Sequence, residues 1–95
     1  MVAYVVVDIE VADPEKYEVY KQLAPPAIAK HGGRYLARGG HTAVLEGDWK
    51  PGRVVILEFP SLDQAKTFYA SVEYTAARRA RGNSAKMNMI VVEGM

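Results

Sequence analysis

Two segments of the chain are apolar at almost every position. Residues 2–9 read VAYVVVDI and residues 53–59 read RVVILEF. A strand of an antiparallel sheet with one face in water alternates apolar and polar residues. Because these two segments lack that alternation, the pattern predicts central strands of a sheet that is covered on both faces. The chain has enough helix for one face only, so we expect a second copy of the chain to cover the other.

Each apolar strand is followed by a segment in which apolar residues recur at helical spacing. At the first segment, Asp13 can accept a hydrogen bond from a free backbone amide, and Pro14 fits the first helical position. Pro25 and Pro26 each remove a backbone donor and disfavour helix in the residue before them. We therefore expect one helix to about residue 23 and a short second one that ends at the next Gly-Gly pair.

The second helical segment has its own start and stop signals. Ser61 and Gln64 fit a capping box, in which each side chain bonds the other residue's backbone amide. Ser71 is placed to restart or bend the helix, and Gly82 is placed to end it. The last strand is predicted over residues 87–93.

This order of elements, β-α-β-β-α-β, predicts a single α+β domain over residues 1–95. Right-handed crossovers place both helices on the same side of the sheet. We therefore expect a ferredoxin-like sandwich with an antiparallel four-stranded sheet, and with the strands at 2–9 and 53–59 in its centre.

The segment between the two halves is rich in glycine. Gly39 and Gly40 interrupt a strand-like run, and glycine inside a strand marks a bulge or a close approach of another backbone. We interpret residues 35–38 and 42–46 as two pieces of one bent strand. A tight turn at residues 47–52 then leads into the next strand.

This interpretation predicts which side chains share a face of the sheet. If Glu46 lies opposite Arg53, the antiparallel register brings His41 opposite Glu58, and side chains alternate between faces. Arg34 or Arg38 joins this group, depending on the glycine bulge. The face away from the helices then holds a small polar set among apolar neighbours, namely Tyr4, Asp8, His41 and Glu58.

A histidine–glutamate pair beside an arginine suits proton transfer on a substrate that carries an anionic oxygen. His41 and Glu58 are therefore the candidate catalytic residues. The alternative is that the two side chains form only a cross-strand ion pair.

The candidate substrate-binding residues are Arg38, Tyr4, Gly39, Gly40 and Tyr69. A glycine pair lets a ligand come close to the backbone, and Arg38 next to it can hold an anionic oxygen. Tyrosines can line an apolar wall. The alternatives are a structural bulge with Arg38 paired to a carboxylate of a partner subunit, and tyrosines that only fill the core.

Composition narrows the function classes. The chain has 95 residues, of which 49% are hydrophobic, and its formal net charge of +1 gives no support for nucleic acid or an anionic membrane as partner. Cysteine is absent, which excludes a disulfide framework and a thiolate nucleophile, and the two histidines lack the spacing of metal ligands.

The basic cluster Arg78, Arg79, Arg81 and Lys86 offsets a helix macrodipole, with anion binding as the alternative. No segment reads as a signal peptide or a membrane span, so we expect a cytoplasmic protein without metal.

The sequence also resembles the domain of unknown function 1330 family over essentially its whole length. The resemblance rests on YVVVDIEV at 4–11, HGGRYLARGG at 31–40, LEGDW at 45–49 and VILEFPS at 55–61. It implies a dimeric α+β barrel in which two sheets face each other, with no established activity. More distant relatives of that barrel include cofactor-independent monooxygenases, small isomerases and haem-degrading enzymes, but none of their catalytic motifs aligns here.

Two hypotheses follow. The first is a homodimer with a small-molecule site between sheet and helices, which works without a cofactor in proton-transfer or oxygenase-type chemistry. The second is a non-catalytic dimeric module whose charged groups only fix how the subunits meet. A ligand-sized void with unpaired polar groups favours the first hypothesis, and a filled core with every polar group satisfied favours the second.

Overall fold

The chain forms four antiparallel strands and three helices in a computed structural model that describes residues 1–95. The strand order in the sheet is β2-β3-β1-β4, which confirms the ferredoxin-like sandwich and the central position of the two apolar strands. No helix has the length and apolar character needed to cross a membrane. The elements are β1 (Ala3–Val11), α1 (Pro14–Lys30), β2 (Arg34–Arg38), β3 (Arg53–Phe59), α2 (Leu62–Ala70), α3 (Val72–Arg81) and β4 (Ala85–Glu93).

One face of the sheet packs against all three helices and is called the helix face. Its central side chains are buried, as the sequence predicts: Val5, Val7, Ile9, Val55, Leu57 and Phe59. The other side is called the open face. Its central positions are only partly covered within one chain, and they include Tyr4, Val6, Asp8, Val54, Ile56 and Glu58.

An aromatic cluster joins the helices to the sheet. The Phe68 ring lies 4.9 Å from Phe59 and 4.4 Å from Tyr74, centroid to centroid. The hydroxyls of Tyr74 and Tyr20 are 2.6 Å apart, which links α3 to α1 through a buried hydrogen bond. Large aromatic side chains contribute much of the apolar area that a small domain can bury, so this cluster fixes how the helices sit on the sheet.

Helix α1 is continuous over 17 residues, and the predicted break at its two prolines is wrong. Ala24, Ala27 and Ile28 are buried on one stripe that runs through the prolines, so packing holds the helical phase where local preference opposes it. The carbonyls that lose their donors belong to Lys21 and Gln22, which are partly or fully exposed, so water can bond them.

The predicted interruption of the second helix is confirmed at Ser71, where α2 ends and α3 begins. The Ser71 hydroxyl accepts from the Tyr74 amide at 3.1 Å and donates to the Phe68 carbonyl at 2.6 Å. The Ser61 cap is also confirmed, with its hydroxyl 3.0 Å from the Gln64 amide. The reciprocal half of that capping box is absent, because the Gln64 side-chain amide donates to the carbonyl that closes α1, at His31.

The second piece of the bent strand, predicted at residues 42–46, is not a strand. Residues 39–52 form an irregular loop, and β2 ends at Arg38. β3 has seven residues, and β2 already pairs with positions 55–58 of it, so little edge is left for a further segment. Gly39, at φ +71°, turns the chain away from the sheet after a last ladder bond to the Val54 carbonyl.

Candidate functional site

A groove of about 430 Å³ runs between α2 and β4 on the helix face, and we call it the α2–β4 groove. Its volume lies in the range of ligand pockets, which is about 300–1,000 Å³. Eight of its ten lining residues are hydrophobic. The lining consists of Val5, Ala65, Lys66, Phe68, Tyr69, Arg81, Met87, Met89, Ile90 and Val91.

The groove exists because β4 is an edge strand that the helices cover incompletely. Met87, Met89 and Val91 point to the helix face and pack against the core, but each is only partly buried. Phe68 closes the inner end and is 1% exposed. The floor is therefore apolar and open to solvent on one side, as a binding groove requires.

Arg81 supplies the main polar group of the groove. It is the last residue of α3, where the negative end of the helix macrodipole favours a cation. Its Nη1 donates to the Met87 sulfur at 2.8 Å, and its guanidinium lies 5.3 Å from the centre of the Tyr20 ring. Its Nε is buried without a hydrogen-bond partner, and no ion pair in the structure includes Arg81. The groove therefore contains an arginine that no carboxylate neutralises.

Tyr69 forms the outer wall and is 43% exposed. The Arg78 guanidinium lies 4.4 Å from the centre of its ring, and Arg78 Nη1 is 3.4 Å from its hydroxyl. Arg78 also reaches the Thr75 hydroxyl at 3.4 Å, which holds the stacked pair against α3. This wall presents a fixed aromatic surface to the groove.

The core tyrosines behind the groove are neutral hydrogen-bonding groups. Burial raises the pKa of Tyr20, and the neighbouring Tyr74 hydroxyl raises it further. Burial also raises the pKa of Tyr74. Both hydroxyls therefore stay protonated at neutral pH, and neither can act as a base.

The structure does not bring the two candidate catalytic residues together, and the register predicted for them is wrong. Arg34, not His41, lies opposite Glu58, because β2 pairs with β3 through residues 34–38. Arg34 Nε donates to Glu58 at 2.9 Å on the open face. His41 is exposed in the loop at 39–52. Tyr4 lies directly opposite Glu58 in the β1–β3 ladder, so the predicted placement of these two on the open face is confirmed.

Asp8, also on the open face, anchors the end of the 39–52 loop. It accepts hydrogen bonds of 2.9 Å from the Trp49 indole and from the Gly52 amide. A Cβ at Gly52 would collide with the carbonyl of Ile9, so glycine allows this close approach. No local pattern in the sequence indicates this pairing, because Trp49 is 41 residues from Asp8.

Arg38 lies on the helix face at the β2 edge, the opposite edge of the sheet from the α2–β4 groove. A register shift between Tyr35 and Ala37 turns the strand so that Arg38 faces the helices, 4.5 Å above the Tyr35 ring. The structure therefore divides the predicted site into three places. Arg38 and Gly39 lie at the β2 edge, Tyr69 lies at the α2–β4 groove, and Tyr4 and Glu58 lie on the open face. Gly40 is exposed with open space around it.

The sequence analysis names two of the polar groove residues and misses the third. Tyr69 is a candidate for substrate binding, Arg81 appears only within the basic cluster for which anion binding is the alternative, and Lys66 is not singled out. The signal for Arg81 was present in the basic cluster at the end of α3, where macrodipole compensation and anion binding predict the same residues. No group of three or more histidine, cysteine or acidic side chains is arranged to hold a metal ion.

The model of a domain of unknown function, DUF1330, matches residues 2–95. The chain is similar in structure to the RPA0582 protein of unknown function from Rhodopseudomonas palustris, at 19% identity and TM-score 0.76, over 99% of this chain and 82% of that one. It is similar to SnoaB, a cofactor-independent oxygenase from Streptomyces nogalater, at 15% identity and TM-score 0.69 over 99% and 93% of the chains. It is also similar to a dimeric ferredoxin-like protein of unknown function from Thermobifida fusca, at 14% identity and TM-score 0.68 over 99% and 92%. No curated protein matches the chain.

Proposed function

The chain belongs to the DUF1330 family, whose function is unknown, and we propose that it is a homodimeric protein that binds a small, largely apolar molecule with an anionic oxygen in the α2–β4 groove. The observation that carries this proposal is the unneutralised Arg81 beside an apolar groove of about 430 Å³. A ligand-sized void with an unpaired polar group is expected of a small-molecule binding site and not of a non-catalytic module with a filled core.

The lining defines the ligand class. Its only charged side chains are Lys66 and Arg81, and it has no carboxylate, so the groove favours anions and disfavours cations. Tyr69 offers an exposed ring surface for an aromatic or flat body, and the buried Phe68 forms the closed end of the groove. A phenolate, an enolate or an aromatic carboxylate has both features, because each joins an apolar body to a single anionic oxygen group.

As a second candidate function we propose cofactor-independent oxygenation of such a molecule, supported by the shared fold with SnoaB. Arg81 would stabilise the anionic form of the substrate, which is the electron-rich form that donates to O₂ when no cofactor is present. No histidine or carboxylate lines the groove, so the substrate must be acidic enough to lose its own proton to water. We assign no proton transfer to His41 and Glu58, since Glu58 bonds Arg34 and His41 lies in the loop.

The homodimer is proposed on the pattern of the open face. Ile90 and Val92 on β4 are 64% and 49% exposed. Val6 lies between Ile56 and Ile90 in one cross-strand row, and Tyr4 lies between Glu58 and Val92 in the next. A second copy packed on this face would bury the apolar row, and the T. fusca relative is described as dimeric.

The groove proposal is tested with a matched ligand pair, 1-naphthoate and the neutral 1-naphthalenemethanol. We expect the wild-type protein to bind the acid about tenfold more tightly, since hydrogen bonds to charged groups are the stronger ones. In Arg81→Met this preference should vanish, whereas in Arg79→Met, which removes an exposed charge from the same helix, it should persist. Titration calorimetry measures both affinities. An unchanged preference in Arg81→Met would refute the site.

Oxygenation has its own measurement. Readily ionised phenols and enols that bind the wild-type protein are incubated with it in an oxygen electrode cell. The second candidate predicts O₂ consumption that depends on Arg81 and persists after exhaustive treatment with chelators. Tight binding without O₂ consumption would leave the binding function and exclude the oxygenase.

A further inference from the structure

Two arginines at the β2 edge have no anionic partner in the chain. The ion pairs of the structure are Lys21–Glu18, Lys30–Glu73, His31–Glu73 and Arg34–Glu58. None of them includes Arg38 or Arg53, and the Arg53 Nε is buried without a hydrogen-bond partner. Burying a guanidinium group unpaired is costly, so such a group marks a place where a partner is missing.

The two side chains lie on the same face and close together. Arg38 is opposite Val55 on β3, and Arg53 is two positions earlier on that strand, so the arginines are diagonal cross-strand neighbours on the helix face. Gly39 lets them approach, because a Cβ at this residue would overlap the Arg53 guanidinium. Like charges at this spacing repel each other unless an anion lies between them.

Between these strands and α1 lies a second cavity of about 40 Å³, which we call the β2-edge cavity. Its charged lining residues are Lys21, Arg38 and Arg53, and it has no lining carboxylate. A single water molecule needs about 10–15 Å³ of such space. The cavity therefore has room for a small ionic group of a few atoms but not for the body of an organic molecule.

Two tyrosines of the same lining provide neutral donors. Tyr17 and Tyr35 both line the β2-edge cavity. Burial raises the pKa of each, although the nearby Arg53 lowers it in part, so both hydroxyls remain protonated and can donate to an anion. Tyr35 also supports the guanidinium of Arg38 from below, at 4.5 Å from its ring centre.

We propose that Arg38 and Arg53 form a second binding site, distinct from the α2–β4 groove, for a small oxyanion: a free phosphate or carboxylate, or the same group on a larger ligand. Paired guanidinium groups match the planar or tetrahedral oxygens of such anions with parallel hydrogen bonds. The site lies at the β2 edge and the groove at the β4 edge of the sheet. The proposal therefore does not depend on what the groove binds.

The test is a two-dimensional ¹H–¹⁵N NMR titration of the whole chain with inorganic phosphate and, separately, with acetate, each at constant ionic strength set with chloride. We expect saturable shifts at the Gly39 amide and at the Arg38 and Arg53 side-chain Nε–H groups. The anion that saturates the shifts at the lower concentration shows whether the site prefers phosphate or carboxylate. Arg38 is exposed, so Arg38→Met should fold normally, and it should weaken binding by about tenfold, as loss of a charge-assisted hydrogen bond does.

Two variants complete the design. Arg53→Lys keeps the charge but loses the fork of donors, so it should weaken binding while thermal unfolding shows an intact fold. Arg79→Met removes an exposed charge away from both cavities and should leave the phosphate and acetate affinities unchanged. The proposal is overturned if neither anion saturates, if Arg38→Met binds as the wild type does, or if Arg79→Met loses binding.

Discussion

The Trp49 indole donates to the Asp8 carboxylate at 2.9 Å and so fastens the 39–52 loop to the central strand of the sheet. The same carboxylate accepts from the Gly52 amide through its other oxygen. One side chain therefore sets both the position of the loop and the point where the chain enters β3. The remainder of the loop, residues 39–50, is exposed, so this anchor has few substitutes.

We predict that Asp8→Ala frees the loop without unfolding the sheet. The loss of two partly exposed hydrogen bonds should lower the free energy of unfolding by about 1–3 kcal/mol. Trp49 is the only tryptophan, so tryptophan fluorescence reports on the surroundings of this one indole, and its emission should shift to the red when the indole leaves Asp8. Asp8→Asn keeps an acceptor for one of the two bonds, so its free energy of unfolding and its emission should lie between those of the wild type and Asp8→Ala. Unchanged emission in Asp8→Ala would contradict the anchor.

The Tyr20–Tyr74 hydrogen bond supports a prediction of coupled stabilities. Either single change to phenylalanine leaves the other buried hydroxyl unpaired, which costs about 1–3 kcal/mol. The double change removes both polar groups, so it should cost less than the two single changes added together. Urea unfolding of the four proteins measures the coupling. Strict additivity would show that the 2.6 Å contact contributes nothing specific.

The stability of the helix layer should depend on acid pH through Glu73. Hydrogen bonds from Lys30 and then His31 lower the pKa of Glu73 from 4.5 to about 2. A carboxyl group with a depressed folded pKa stabilises the fold above its unfolded pKa, and the contribution is lost as pH falls through the folded value. The urea midpoint should therefore drop between pH 4.5 and about pH 2.

Glu73→Gln should show a smaller drop over this pH window, because it has no carboxylate to protonate. Asp63→Asn removes an exposed carboxylate that forms no ion pair, and it serves as the matched control. If Glu73→Gln follows the wild-type curve, the link between α3 and the end of α1 has no role in acid stability.

The proposed homodimer predicts a mass of twice the 10.5 kDa chain in light scattering at micromolar concentration. Val92→Asp puts a charge next to the apolar row of the open face, at a position that does not line the α2–β4 groove, and should give the single-chain mass with the fold retained. Val72→Asp introduces the same charge at an 82% exposed position on α3, away from the open face, and should remain dimeric. A single-chain mass for the wild-type protein would end the dimer proposal.

The strands and helix ends were predictable because their signals are local. The apolar runs at 2–9 and 53–59 identified both central strands, and Ser61 and Ser71 marked helix starts that the structure confirms. The two prolines in α1 misled the prediction, since the sequence shows the lost amide bonds but not the packing that outweighs them.

The site was less predictable because it depends on strand register. The bulge between Tyr35 and Ala37 decides which face Arg38 occupies, and no residue spacing in the sequence specifies it. The assumed pairing of Glu46 with Arg53 shifted the whole register and placed His41 beside Glu58. The groove itself arises because α2 does not fully cover the edge strand β4. This depends on packing between segments that are distant in the sequence.

Met87 and Met89 on the floor of the groove have a consequence for selectivity. Their unbranched thioether chains rotate about three bonds and refill the space around occupants of different outline. A surface of this kind discriminates weakly between ring systems, so acids that share one anionic group but differ in skeleton should bind with similar strength. Natural variation at these two positions would then change the breadth of compounds accepted, while Arg81 would keep the requirement for an acid.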